Sequence, residues 1–240
     1  MKKSLLILFI EVLSFSLYAQ TKADSLAIIS AQWEVQELVK GITHKKILIS
    51  NLYGGNQHIN ILFIDPKAKK KIDIAVSDTL MKTSDIALKN GAMAAINGSY
   101  FNMRAGNSVC FLKVGAVLKD TTTMREWQAR VTGAIRVHKG KMKLFPWNKQ
   151  IETMYTKKKG ITLASGPLML LNGKECDWEM CAQEFIETKH PRSAVAVTEK
   201  GMILFITVDG RMPGFADGVN IHELAHLVRV LGGKDAINLD

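Results

Sequence analysis

The chain has 240 residues, 47% of them apolar, 32 Lys and Arg against 22 Asp and Glu, and a formal net charge of +10. That is enough apolar material for one sizeable core, and past the first twenty positions there is no run long enough to span a bilayer. The basic balance suits an anionic ligand, but the lysines of "KAKKK" (67–71) and "KKK" (157–159) read as solvated turns without interleaved aromatics, so nucleic acid is not expected as a partner.

Residues 1–19 read as an export leader: Lys2 and Lys3 give a basic start, an apolar centre follows, and Ala19 precedes Gln20. Cleavage after Ala19 gives a periplasmic or secreted protein with no stable membrane insertion, and the loss of Lys2, Lys3 and Glu11 leaves a net charge of +9. Glu11 interrupts the apolar centre, and a retained anchor is the competing reading.

Residues 20–54 form a lead-in segment, in which "DSLAIISAQWEVQELV" spaces Leu26, Ile29, Trp33 and Val35 as an amphipathic helix after an Asp24 cap. From residue 55 to 240 strands dominate. "HINILFIDP" alternates and stops at Pro66, "KIDIAVSD" alternates Ile72, Ile74 and Val76, and "AAI" (94–96) is an apolar run ending at Asn97-Gly98. "TGAIRVHKGKMKLF" is a hairpin turning at Lys139-Gly140, and "RSAVAVTEKGMILFITVDG" is a second turning at Glu199-Lys200-Gly201. The continuous apolar arm "MILFITV" belongs inside a sheet covered on both faces. Helical signals recur near 84–90 and 220–231. Strands and helices mix without βαβ alternation, which predicts a single α+β domain with a mixed, mostly antiparallel sheet.

Cys110, Cys176 and Cys181 are odd in number; Cys176 and Cys181 either form a short-loop disulfide or remain free thiols. No His or acid is patterned around Cys110 as a nucleophile would need.

Four apolar segments end in polar residues at their tips: Asn97-Gly98, Ser165-Gly166-Pro167, Asp209-Gly210-Arg211 and Asp240. Each alone reads as a turn, and together they predict tips converging on one site. "AAINGSYFN", "ASGPLMLLNGK", "HPRSAVAV", "FITVDGR" and "IHELAHLVRVLGGKDAINLD" occur in an order and spacing that resembles the phosphodiester glycosidase family over roughly residues 55–240. Members include a lysosomal enzyme that removes N-acetylglucosamine from a phosphodiester on mannose. The resemblance implies hydrolysis of a sugar-1-phosphodiester at the sugar side, releasing free sugar and a phosphate monoester, on a glycan or cell-envelope substrate.

On that reading Arg192, matching the family's arginine after His-Pro, is expected as a bidentate phosphate clamp and Arg211 as a second phosphate contact. Asn97 would donate to a phosphate or sugar oxygen, with Gly98 removing a side chain that would block the ligand. Ser165 and Gly166 would bind substrate alongside, and Ser99, Tyr100 and Asn102 would line the rim. Asp209, Glu223 and Asp240 compete for the catalytic carboxylate, and Asn220 and Glu223 also stand at capping-box spacing. No cofactor is expected, although the strand-end carboxylates could serve a divalent cation.

"HELAH" (222–226) places two histidines one helical turn apart with a Glu between them, the pattern of a zinc metallopeptidase. The fourteen residues after His226 carry neither a further Gly and His nor a second helix with a Glu ligand, so solvated histidines are expected instead. A glycan-binding module without catalysis is a third reading. The family continues past Asn-Leu-Asp with a glycine-rich stretch, so the sequence is expected to be truncated, and Ser99 stands where the family has a second glycine.

Overall fold

The computed structural model describes residues 22–240, and the leader reading lies outside the described residues. Helix α1 (22–30) leads into a three-stranded meander, β1 (Glu34–Val39), β2 (Ile42–Leu52) and β3 (Gly55–Ile64). The helix expected to run on to residue 40 therefore stops at residue 30. Val35, Glu37 and Val39 continue as a strand because Gly41, at φ 83°, turns the chain back for β1 to pair with β2. Asp24 caps no helix; its carboxylate accepts the Tyr53 backbone N–H at 3.1 Å.

After α2 (Thr83–Lys89) come β4 (Leu112–Val114), β5 (Val117–Asp120), α3 (Met124–Ala129), β6 (Gly133–His138), β7 (Lys141–Pro146), α4 (Lys149–Tyr155) and β8 (Ile161–Ser165). The chain ends through β9 (Leu168–Leu171), β10 (Lys174–Glu175), α5 (Gln183–Glu187), β11 (Arg192–Thr198), β12 (Ile203–Val208), α6 (Ile221–Val230) and β13 (Gly233–Asn238). The described strands make an eight-stranded sheet, β1-β2-β3-β12-β11-β13-β9-β10, and a five-stranded sheet, β5-β4-β8-β6-β7. Their ladders are antiparallel, and the fold is a single α+β domain. Before residue 55, β1 and β2 are already strands of the large sheet.

Both hairpins form where the sequence places them, and β12 lies inside the large sheet between β3 and β11. One face of that sheet buries Ala194, Ala196, Leu204 and Ile206 against Ile221, Leu224, Leu227 and Val228 of α6. The other buries Val195, Leu168 and Ile237 against Ile135, Val137 and Leu144 of the small sheet. Each Val, Leu or Ile side chain among them contributes about 1.5–3 kcal/mol on removal from water. A third cluster, with Tyr100, Phe111, Val131 and Trp147, lies under α3 and α4.

Two expected strands are absent. Neither 71–78 nor 94–97 pairs with a neighbouring strand, and Asn97 leaves no buried strand tip. Both segments instead line a cavity of about 500 Å³ together with Ile135, Val195 and Phe205. Apolar alternation gives these stretches a side to bury, but it supplies no ladder partner.

The sheets close together at Gly133, where a Cβ would stand 3.0 Å from Leu168 Cβ and 2.8 Å from Ile237 Cδ1. Gly133→Ala is expected to cost about 1–3 kcal/mol by overpacking, read as a lower urea midpoint at unchanged slope.

Candidate active site

The ends of β8 and β13 meet the loop 97–100 at one place, and a buried amide joins them. Asn238, the last residue of β13, donates from Nδ2 to Gly166 O at 3.0 Å and to the Tyr100 hydroxyl at 2.8 Å. Tyr100, 2% exposed, donates from that hydroxyl to Gly166 O (2.5 Å) and Leu239 O (3.1 Å), and burial raises its pKa. Ser165 Oγ donates to Asn238 O at 3.0 Å, and Ser99 Oγ donates to Ala164 O at 2.6 Å. Asp240 then lies beside the loop: its N–H donates to Gly98 O, and Asn97 Nδ2 donates to its main-chain oxygen.

Several expected ligand contacts are thus framework contacts. Ser165 is fully buried, and Gly166 is fixed by its carbonyl and by a tight approach, since a Cβ there would lie 2.2 Å from Arg130 O. The Asn97 amide is spent on main chain. Gly98 clears no blocked space: a Cβ would meet only Leu163 Cδ2, at an ordinary 3.7 Å, and its carbonyl is the group in use. Asn102 holds a local turn by accepting the N–H groups of Arg104 and Ala105.

Arg192 opens β11 beside Asp240, because Leu239 N donates to Ser193 O at 2.8 Å. It is 5% exposed, and its guanidinium is caged by carbonyls: Nε donates to Val219 O, and Nη2 donates to both Phe185 O and Thr188 O. The one N–H of Nε and both of Nη2 are spent. Only Nη1 remains among the described residues, so the bidentate clamp expected of Arg192 is not the arrangement present. Burial lowers its pKa to about 10; Tyr100 opposes that shift, and Arg130 and Arg211 add to it.

The three acids part company. The Asp240 carboxyl is held above the usual carboxylate range by desolvation, with Arg130 pulling it down and Glu126 pushing it up. Asp209 lies one residue beyond Val208, which pairs with Arg192, so strand alternation sets it on the opposite face of the sheet. There its carboxylate meets His58 Nδ1 at 2.6 Å. Glu223 closes a capping box with Asn220 and pairs with Lys189 Nζ at 3.2 Å, so its oxygens serve the start of α6. Arg211, exposed and at φ 60°, donates to His190 Nδ1 at 3.0 Å on the rim. Burial, Arg192 and Arg211 depress the His190 pKa, which keeps that nitrogen an acceptor.

Sequence reasoning missed Arg130, Glu126, Phe185 and Asn238. Arg130 follows α3 and lays its guanidinium 3.6 Å from the centroid of the Tyr100 ring. "MREWQAR" offered one signal, an acid and an arginine four residues apart on a short helix, but nothing that links them to residue 100.

The zinc-peptidase geometry is not formed. His226 has both ring nitrogens engaged, Nε2 with Ser25 Oγ at 2.9 Å and Nδ1 with Tyr53 OH at 2.7 Å, while Glu223 is a cap. His222 instead faces Glu175, Glu187 and the Trp178 ring. The three cysteines are free thiols, so the paired alternative for Cys176 and Cys181 is not the one formed. Burial pushes Cys110 up to about 12 and Cys181 to about 11, far from thiolate chemistry at neutral pH.

A family model described as phosphodiester glycosidase matches residues 90–240. No curated protein matches the sequence significantly. By fold the chain is similar to the crystal structure of a hypothetical protein from Synechocystis, with a TM-score of 0.61 and 15% identity over 88% of this chain; it spans 58% of that protein. It is also similar to the catalytic domain of zebrafish N-acetylglucosamine-1-phosphodiester alpha-N-acetylglucosaminidase, auto-inhibited by its pro-peptide. There the TM-score is 0.59 at 16% identity, over 88% of this chain and 76% of that one. At such identities the likeness is one of fold.

His226 ties α6 to α1 and β2's end as a neutral ring, its pKa lowered by burial and then by Arg229. The unfolded chain binds the proton more readily, so stability falls as pH drops below the ordinary value of 6.5 toward the folded pKa and rises again with pH. Thermal melts from pH 7.5 to 5 are expected to show this slope, and His226→Gln to flatten it.

Proposed function

Because the chain belongs to the phosphodiester glycosidase family, we propose that it is an exported hydrolase that cleaves a sugar-1-phosphodiester on its sugar side, releasing free sugar and a phosphate monoester. The observation that carries this reading is the Asp240 carboxyl set in the field of the Arg130 guanidinium, where the ends of β8 and β13 meet the start of β11 and the 97–100 loop. The phosphate oxygens take up guanidinium N–H groups left free by the framework. Asp240 then stands near the anomeric carbon and stabilises the positive charge that develops as the bond to phosphate breaks. A phosphate monoester is a good leaving group, so the reaction asks little of a general acid.

Export rests on Lys2, Lys3, the apolar centre and Ala19. No helix among the described residues is long and apolar enough to cross a membrane. The zebrafish enzyme's name makes N-acetylglucosamine the first sugar to offer, and a glycan or cell-envelope phosphodiester the substrate class. The mechanism calls on no cofactor; turnover abolished by EDTA would put a divalent cation at the strand-end carboxylates.

Incubation with the methyl diester of N-acetylglucosamine-1-phosphate is expected to release reducing sugar. Asp240→Asn should lower kcat by about 10²-fold or more with the fold intact. Activity should fall with acidity at a pH above the ordinary carboxylate range, because the Asp240 pKa is raised and the ionised form is the working one. An Asp240→Asn enzyme as fast as the parent would sink the reading, and binding of the diester without turnover would make the protein a glycan-binding module.

A further inference from the structure

We propose that Arg130 is the principal phosphate-binding residue of this site and that Glu126 is its positioning residue; the proposal rests on the phosphodiester reading above. The two arginines differ in the N–H groups each has left to give. Arg192 spends Nε and Nη2 on the carbonyls of Val219, Phe185 and Thr188 and is sealed at 5% exposure. Arg130 spends Nε and one N–H of Nη2 on the two oxygens of Glu126, at 2.7 and 3.2 Å, and its side chain keeps 24% of its surface open. Among the described residues its Nη1 has no partner, so two N–H groups of Nη1 and one of Nη2 remain uncommitted on a partly open side chain.

That edge is held in place. Glu126 is nearly buried, 4% exposed, and its backbone is capped by Thr123 Oγ, so the paired carboxylate fixes the guanidinium plane. The flat face of the cation lies 3.6 Å from the Tyr100 ring centroid and 5.0 Å from that of Phe185. With one edge taken by Glu126 and a face taken by Tyr100, the Nη1 edge is what the side chain can offer a ligand. Arg192 stands 4.5 Å from the same Phe185 ring, so two cations flank one aromatic residue. They oppose each other, and Asp240 is the nearby acid not already spent on a side-chain pair. Glu126 fixes the guanidinium plane, and from that plane the remaining N–H groups are offered as charge-assisted donors to a phosphate's oxygens.

The test measures inorganic phosphate affinity by calorimetry, and KM and kcat for the methyl diester of N-acetylglucosamine-1-phosphate. Arg130→Gln is expected to weaken phosphate binding at least tenfold and to raise KM by a similar factor. Arg136→Gln on β6, which removes one charge from an arginine bonded to Lys159 O, should leave both unchanged. Glu126→Gln should raise KM about threefold or more with kcat retained, a split that loss of packing alone would not produce. If Arg130→Gln fails to fold, Arg130→Lys keeps the charge and should still weaken phosphate several-fold, since an ammonium cannot hold Glu126 and present a planar edge together. A folded Arg130 variant that binds phosphate as tightly as the parent overturns the proposal and leaves the hydrolase reading standing. A parent protein that binds phosphate through Arg130 but releases no sugar supports the proposal and overturns the hydrolase reading. A parent that does neither overturns both.

Discussion

The amide of Asn238 is the constraint on which the pocket depends. It sits fully buried where the last strand of the large sheet crosses the end of β8 in the small one, and its Nδ2 is answered by Gly166 O, the Tyr100 hydroxyl and Leu239 O. A buried amide left unanswered would cost about 1–3 kcal/mol per group, so once the sheets pack, Gly166 and Tyr100 are held to these positions. Asn238 Oδ1 itself finds no partner among the described residues, a cost that the surrounding packing must offset. Because Tyr100 is fixed by this amide, the Arg130 guanidinium has a fixed ring to lie on.

From this follows an economy of hydrogen-bond donors. Most polar side chains near the pocket are consumed in building it: Ser99, Ser165 and Asn97 bond to main-chain oxygens, and Arg192 closes the turn between α5 and β11. What is left for a ligand is defined by subtraction: the remaining N–H groups of Arg130, Nη1 of the more deeply buried Arg192, and the carboxylate of Asp240.

The sequence was legible where signals are local. The two hairpins, α6 with its capping box, and the stop of β3 at Pro66 all follow from alternation, turn glycines and cap spacing within a dozen residues. Alternation failed at 71–78 and 94–97, where the apolar side was read correctly but the ladder partner was assumed. It failed again at α1, because Trp33 to Val39 carries helical and strand spacing together and only β2 decides between them. At the strand tips the residues singled out from the sequence do come together around Asn238, but Gly98 and Ser165 serve the framework there.

By itself, then, the amino-acid order determined the α+β class, β3 and the two hairpins, the terminal helix and a family pattern running to Asp240, because each of these is written in residues close to one another along the chain. The three-dimensional packing decided which face Asp209 takes, that Glu223 serves a helix end, and that Arg192 commits more of its N–H groups to the framework than Arg130 does. Those outcomes depend on partners such as Val219 for Arg192, and Tyr100 for Arg130, that lie 27 and 30 positions away. A guanidinium's remaining donors are known only after every nearer acceptor has claimed its own, and nothing in the linear order counts those claims.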